Sequence, residues 1–164
     1  MTGMTQPLAL DADLLRALKR VVGSYESPGP RRDDLAQEVA LAVHLALPRF
    51  RGDASLRTYA LRVAHNVCLR HVTRQRARDA RSGGDVPLED PSPGVDEQLD
   101  GRRSKERLLS AVRQLPIAQR QVITLALESL TGAEIAQVLG ISDNAVHIRL
   151  HRARKRLQTL LESP

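Results

Sequence analysis

Apolar residues recur at three- and four-residue steps in the first half of the chain, and this period predicts three helices, over residues 12–22, 31–47 and 56–80. Asp11 or Asp13 is suited to cap the first of them. Asp53 or Ser55 is suited to cap the third. The positions expected to face the core are Leu14, Leu15, Leu18, Leu35, Val39, Val43, Leu61, Ala64 and Val67.

The apolar period stops over residues 82–101, where a serine-glycine-glycine run, three prolines and several acidic residues stand together. This composition is typical of a flexible linker. Beyond it, apolar steps predict two more helices, one on each side of Pro116. We therefore expect an all-α chain of two small helical domains joined by a flexible acidic linker, with no internal repeat. The predicted division is 1–81, 82–101 and 102–164.

The pattern of residues 129–161 indicates a helix, a tight turn and a second helix. Thr131 followed three residues later by Glu134 is the pattern of a capping box. Gly140 suits the left-handed residue that ends a helix, and Ser142 suits the N-cap of the next one. This order of small and capping residues predicts a helix-turn-helix.

The second of these helices is apolar on one side and strongly basic on the other. Its predicted buried side is formed by Val146, Leu150, Ala153 and Leu157. Its basic side carries His147, Arg149, His151, Arg152, Arg154, Lys155 and Arg156. Such a helix lays its early residues against base edges and its later cations near phosphates. A solvated basic helix on a bundle has the same charge pattern, but the capped first helix and the turn glycine favour DNA binding.

Composition narrows the class of protein further. Only 2% of the residues are aromatic against 41% hydrophobic in total, so any core is built from aliphatic side chains. The net charge of +6 favours a polyanionic partner. The sequence contains no apolar run of membrane-span length and no signal-peptide pattern, so we expect a cytoplasmic protein without membrane insertion. Cys68, the one cysteine, is expected to be a small buried hydrophobe.

The order of these segments resembles the extracytoplasmic-function sigma factors, the smallest class of the bacterial sigma-70 family. DDLAQEV (33–39) is similar to the helix that such factors dock on the polymerase clamp. FRGDASLRTYALRVAHN (50–66) is similar to the loop and helix that read the minus-ten promoter element. LPIAQRQVITLALESLTGAEIAQVLGISDNAVHIRLHRARKRL (115–157) is similar to the domain that reads the minus-thirty-five element. The combination of the first two stretches is the most specific part of the resemblance.

The resemblance implies that Asp34, Gln37 and Glu38 contact core RNA polymerase. A solvated helix start, with its acidic residues stabilised by the helix dipole, is the alternative interpretation of these residues. A divalent metal site is the weakest interpretation, because two isolated carboxylates without a further ligand hold such an ion poorly.

For the minus-ten element the resemblance implies a base flipped out of the duplex, with Asn66 helping to read it. A neutral amide offers both a donor and an acceptor to a base edge. The loop residues Gly52, Asp53, Ala54 and Ser55 would complete the pocket, and Arg70 and Arg74 would hold phosphates. A polar residue that merely faces solvent is the alternative for Asn66. The chain has Tyr59 where the family often has tryptophan.

For the minus-thirty-five element the resemblance implies contacts from the second helix of the helix-turn-helix. Ile148 is suited to meet a thymine methyl group, and Arg149 or Arg152 to bind a guanine edge or a phosphate. The full set of expected contacts is Ser142, Asn144, His147, Ile148, Arg149, His151, Arg152 and Arg156.

The sequence therefore predicts a sigma factor that binds core RNA polymerase and directs promoter-specific initiation on promoter DNA. An anti-sigma factor is a further partner that the resemblance implies. We expect no enzyme activity, cofactor, metal or small-molecule substrate, because the sequence contains no nucleophile-base pair, phosphate-binding glycine loop or metal signature at recognisable spacing. The rival hypothesis is a stand-alone helix-turn-helix regulator that binds a symmetric operator without polymerase.

Overall fold

The computed structural model describes residues 10–83 and 97–162, and every regular element in these two ranges is helical. A short 3₁₀ turn, Leu47–Arg49, follows the second α-helix. The seven α-helices of the described ranges are α1 (Ala12–Gly23), α2 (Pro30–Ala46), α3 (Leu56–Ser82), α4 (Glu97–Arg113), α5 (Ile117–Leu127), α6 (Gly132–Leu139) and α7 (Asp143–Glu162). The predicted all-α fold is confirmed.

Local side chains set the starts of α1 and α3. Asp11 is the N-cap of α1, and its carboxylate accepts a hydrogen bond from the Leu14 N–H at 2.7 Å. Ser55 is the N-cap of α3, and its hydroxyl accepts from the Thr58 N–H at 3.0 Å. Each cap satisfies a backbone donor that the first turn of a helix leaves without a partner.

The first three helices pack together around an aliphatic core. Leu18 of α1, Leu35 and Val39 of α2 and Leu61 of α3 are buried there, as their spacing predicts. The prediction for Leu15 is wrong, because its side chain is 43% exposed. Leu14 and Leu18 lie one turn apart and face α2 and α3, whereas Leu15 follows Leu14 by about 100° around the helix and points away.

The last four helices form the second half of the molecule, with α7 packed against α4, α5 and α6. The predicted capping box of α6 is present: Glu134 N–H donates to Thr131 Oγ1 at 3.2 Å, and Thr131 N–H donates to the Glu134 carboxylate at 2.7 Å. Gly140 ends α6 in the left-handed conformation, with φ of 65°. The local signals therefore produce the helix-turn-helix that the sequence predicts.

The two halves touch, and their buried residues form one continuous cluster. Five charged side chains meet where they join, and we call this set the junction: Arg20, Arg32, Arg57, Glu106 and Glu128. α4 begins inside the predicted linker, and residues 84–96 of that linker lie outside the described residues. The domain boundaries thus stay a prediction.

Candidate nucleic-acid interface

The exposed side of α7 presents most of the residues expected to read the minus-thirty-five element. Asn144, Ile148 and His151 lie on one stripe of the helix, because steps of three and four residues return to nearly the same angle. All three are exposed, and Ile148 is an apolar side chain that is 41% exposed. His147 and Arg152 are exposed beside this stripe. An apolar group between imidazole and guanidinium donors is suited to base edges.

α7 also carries a line of cations toward its C-terminal end, and Arg149 is half-buried beside its packed side. Val146, Ala153 and Leu157 are buried and fix the rotation of the helix. Among the residues that the structure describes, no ion pair engages Arg149, Arg152, Arg154, Lys155 or Arg156. These charges are therefore available to phosphates.

Ser142 has a local role at the start of α7. Its hydroxyl oxygen accepts a hydrogen bond from the Ala145 N–H at 3.1 Å and so caps the helix, as the sequence predicts. The hydroxyl proton remains available as a donor. The cap therefore orients the first turn, where Asn144 lies exposed.

The second surface lies on α3 and brings Asn66 and Arg70 together with two residues of the same motif that were not among the predicted site residues. Tyr59, Arg62, Asn66 and Arg70 follow one another at steps of three and four along one face. Asn66, Arg62 and Arg70 are exposed. The Arg62 guanidinium stands over the Tyr59 ring at 5.5 Å from its centroid. This face therefore offers an amide, two cations and an aromatic ring side by side.

Phe50 extends this face from the loop that precedes α3. Its ring lies 5.2 Å from the Tyr59 ring at an interplanar angle of 46°. The Tyr59 hydroxyl donates to the Ala46 carbonyl oxygen at 2.9 Å, which fixes the ring. Two of the three aromatic residues of the chain therefore stand together here, and aromatic rings are platforms for unstacked bases. The signal for them was present in the sequence, since Phe50 and Tyr59 flank the loop motif.

The loop between Phe50 and α3 is exposed at Arg51, Gly52 and Asp53. Gly52 adopts φ of 83°, a conformation that favours glycine. Ala54 is half-buried. The Ser55 hydroxyl caps α3 and donates to Thr58 Oγ1 at 2.9 Å, so it is engaged with the first turn of that helix.

The third surface lies on α2 and is mixed in character. Asp34, Gln37 and Glu38 are exposed, as expected for a contact surface. Leu41 and Leu45 continue the same stripe and are 59% and 61% exposed. These two leucines were not predicted as part of the surface, although their three- and four-residue offset from Asp34 and Glu38 places them opposite the buried face. Exposed leucines beside carboxylates indicate a protein-binding surface.

Arg74 connects the α3 and α2 surfaces. Its guanidinium forms an ion pair with Glu38 at 3.2 Å, and both side chains remain about half exposed.

Within the described parts of the chain, no group of three or more histidine, cysteine or acidic residues could hold a metal ion. The same residues include no helix long and apolar enough to cross a membrane.

Taken together, the helix-turn-helix and its unpaired basic helix define a DNA-binding protein with a second helical module attached. The profile of the family described as Sigma-70 region 2 matches residues 10–78, and that of Sigma-70, region 4 matches residues 105–157. The ECF RNA polymerase sigma factor SigM of Mycobacterium tuberculosis is 31% identical over 149 residues, which cover 89% of this chain and 72% of SigM. The RNA polymerase sigma factor CnrH of Cupriavidus metallidurans is also 31% identical, over 90% of this chain and 82% of CnrH. The chain belongs to the extracytoplasmic-function sigma factors of the sigma-70 family.

Solved structures agree with this fold. The sigma factor RpoE, in complex with the anti-sigma factor NepR from Bartonella quintana, has a TM-score of 0.71 at 22% identity and covers 92% of both chains. CnrH, in complex with the cytosolic domain of CnrY, has a TM-score of 0.63 at 28% identity over 90% of this chain and 82% of that one.

Proposed function

We propose that this sigma factor uses the three surfaces described above for three separate tasks. As an alternative sigma factor, it binds core RNA polymerase and directs transcription initiation at promoter DNA. In the proposal, α2 docks on the polymerase, the Asn66 face of α3 captures an unpaired base of the minus-ten element, and α7 reads the minus-thirty-five element. The proposed factor catalyses no step itself, and we propose that it acts in the cytoplasm, where core polymerase and promoter DNA are found.

The observation that carries the proposal is the separation of surface chemistry among α2, α3 and α7. α2 presents exposed leucines beside carboxylates, which suits a protein partner and repels DNA phosphates. α3 presents an amide between two cations, on the same face as two aromatic rings tilted against each other, which suits an unstacked base. α7 presents unpaired cations around Ile148, which suits the major groove of a duplex.

Two modest DNA contacts become selective when the polymerase holds both halves, because the second contact is then effectively intramolecular. A stand-alone regulator is not favoured, since both the region 2 and the region 4 profiles match this chain. The solved structure of RpoE contains the anti-sigma factor NepR, and that of CnrH contains the cytosolic domain of CnrY, and we include an anti-sigma factor among the proposed partners.

The polymerase surface is tested by Leu45→Ala with Leu15→Ala as the matched control. Both leucines are exposed on N-terminal helices, but only Leu45 lies on the α2 surface. We expect Leu45→Ala to weaken binding of core polymerase about tenfold, as for a residue at the centre of an interface. Leu15→Ala is expected to leave this affinity unchanged. Equal losses in both variants would remove α2 from the proposal.

The base-reading role is tested by Asn66→Ala with Thr73→Ala as the control, since Thr73 lies two turns further along the same face. In the holoenzyme, Asn66→Ala is expected to lower the rate of promoter opening about tenfold or more, in line with about 1–3 kcal/mol for a good base contact. Closed-complex affinity is expected to change little. An opening rate as in wild type, measured by permanganate footprinting, would contradict the role of Asn66.

A further inference from the structure

A cleft between α1, α2 and α4 is lined by residues that belong to none of the three surfaces described above. Its volume is about 380 Å³, and small-molecule sites in proteins commonly enclose about 300–1,000 Å³. Val22 of α1, Ala36 of α2 and Leu109 of α4 supply apolar side chains to its lining. Val22 and Leu109 are buried, and Ala36 is half-buried. The cleft therefore has an apolar lining from three helices and is large enough for a small molecule.

Three exposed cations also line this cleft, and we call them the cleft cations. Lys19 lies on α1, and Arg102 and Lys105 lie one turn apart on α4. In residues 10–83 and 97–162, no ion pair engages any of the three. Isolated surface cations commonly face water, but these three belong to the lining of a single concave site. One anionic ligand can therefore neutralise them together.

A further cation of the lining is already neutralised and fixes one wall of the cleft. The Arg32 guanidinium donates two hydrogen bonds to the Glu106 carboxylate, both at 3.0 Å, and its Nε atom donates to the Glu26 backbone oxygen at 2.8 Å. The Glu106 carboxylate also accepts a hydrogen bond from Arg113 at 2.8 Å. Glu106 is thus compensated by two arginines and leaves the cleft cations to a ligand. A wall that is ordered before binding also lowers the entropy that binding costs.

Asp33 adds a hydrogen-bond acceptor to the lining. It lies exposed in the first turn of α2, and no ion pair among the described residues engages it. A carboxylate repels phosphate but accepts hydrogen bonds from hydroxyl groups, and dinucleotide-binding folds hold a ribose hydroxyl in this way. The lining thus combines cations for phosphates, an acceptor for a hydroxyl group and apolar surface for a ring. A nucleoside polyphosphate carries all three of these groups.

We propose that this cleft binds a nucleoside diphosphate or triphosphate. The phosphate groups contact the cleft cations, a sugar hydroxyl donates to Asp33, and the base packs on the apolar lining. Lysine and arginine bind phosphate oxygens through charge-assisted hydrogen bonds, and several cations in one site suit a polyphosphate better than a single phosphate. The site is separate from the proposed DNA-reading surfaces, because α3 and α7 contribute no residue to its lining.

The site is tested on the free full-length chain by isothermal titration calorimetry, with adenosine diphosphate as the probe and without divalent cations. The parent chain is expected to bind the probe saturably. The double variant Arg102→Gln and Lys105→Gln removes two cleft cations and is expected to weaken binding about tenfold or more. The double variant Arg78→Gln and Arg81→Gln is the matched control, because these exposed arginines of α3 have the same spacing and their loss changes the net charge equally. It is expected to leave the affinity for the probe unchanged.

Two further measurements separate the parts of the ligand. Pyrophosphate supplies the charges without a nucleoside and is expected to bind about tenfold more weakly than adenosine diphosphate. Ala36→Leu fills the apolar lining without a change of charge, so it should weaken binding of adenosine diphosphate about tenfold and keep that of pyrophosphate. This variant decides the matter if the first double variant loses its helical circular dichroism. A parent chain that does not bind adenosine diphosphate saturably, equal losses in the two double variants, or pyrophosphate bound as tightly as the nucleotide would overturn the proposal.

Discussion

The junction and α7 use the same residue type in opposite ways. At the junction, arginines are half-buried and bound to carboxylates of the other half, with Arg20 on Glu128 and Arg32 on Glu106. On α7, arginines such as Arg152 are exposed, and no described acidic side chain pairs with them. The net charge of the chain is therefore a poor guide to DNA binding, because arginines that are paired with carboxylates are not available to phosphates. Substitutions of buried polar groups should accordingly have stronger effects than substitutions of exposed charges.

The largest effect concerns a histidine that is buried near the junction. His65 is 1% exposed, and its Nδ1 atom lies 3.0 Å from the Tyr25 hydroxyl. Burial lowers its pKa to about 4, against 6.5 for an ordinary histidine. Between these two pKa values, His65 is protonated in the unfolded chain and neutral in the folded chain. The contribution of His65 to the free energy of unfolding is therefore fully present above pH 6.5. It is lost as the pH falls from 6.5 to about 4, by about 3 kcal/mol in total.

This pH dependence is measured as the free energy of unfolding in urea at successive pH values. In His65→Asn the slope between pH 6.5 and pH 4 should flatten. The control variant His147→Asn, at an exposed position of α7, should keep the slope of the parent chain. Burial opposes ionisation of Glu106, but the hydrogen bonds from Arg32 and Arg113 outweigh it and lower its pKa below 4.5, so this carboxylate contributes to acid unfolding only at lower pH. A slope that His65→Asn does not change would refute the burial argument.

The next effect concerns the partner of that histidine. Tyr25→Phe removes the hydroxyl that bonds His65 Nδ1, and His65 Nε2 already lacks a partner among the described residues. We expect a loss of about 1–3 kcal/mol in the free energy of unfolding, the cost of a buried polar atom without a partner. Tyr59→Phe, whose hydroxyl bonds Ala46 in a half-buried position, should cost less. Equal urea midpoints for Tyr25→Phe and Tyr59→Phe would be evidence against a stabilising hydrogen bond between Tyr25 and His65.

A smaller effect is expected in DNA binding by the holoenzyme. Arg152→Gln removes an unpaired cation from α7, so the slope of log affinity against log salt should fall by about one. Arg16→Gln on α1 is the control, because that arginine is exposed and lies 3.8 Å from Asp13. Its salt slope should match that of the parent. Binding titrations on promoter DNA at several salt concentrations separate these outcomes.

The smallest effect is expected for the exposed ion pair between Arg74 and Glu38. Their side chains are 56% and 45% exposed, against 30% and 3% for Arg20 and Glu128. A double-mutant cycle on Arg74 and Glu38 should give a coupling energy of about 0.5 kcal/mol or less. A coupling well above 1 kcal/mol would place this pair with the junction instead.

The residue pattern predicts some features of the structure correctly and others wrongly. Thr131, Glu134, Gly140 and Ser142 predict the helix-turn-helix correctly, because caps and turns depend on residues within one helical turn of one another. The prediction for Leu15 is wrong because this residue directly follows the buried Leu14 and stands three residues before the buried Leu18, so its spacing fits a helical period almost as well as that of a buried residue.

Most of the helices, several of their caps, the basic side of α7 and the family could be predicted from the residue order alone. Each of these depends on residue types at short spacing, which the chain order states directly. Which cations are neutralised could not be predicted in this way, because Arg20 and Glu128 are 108 residues apart and Arg32 and Glu106 are 74 apart. Pairing at such a distance follows from how whole helices pack, and local periodicity carries no information about it.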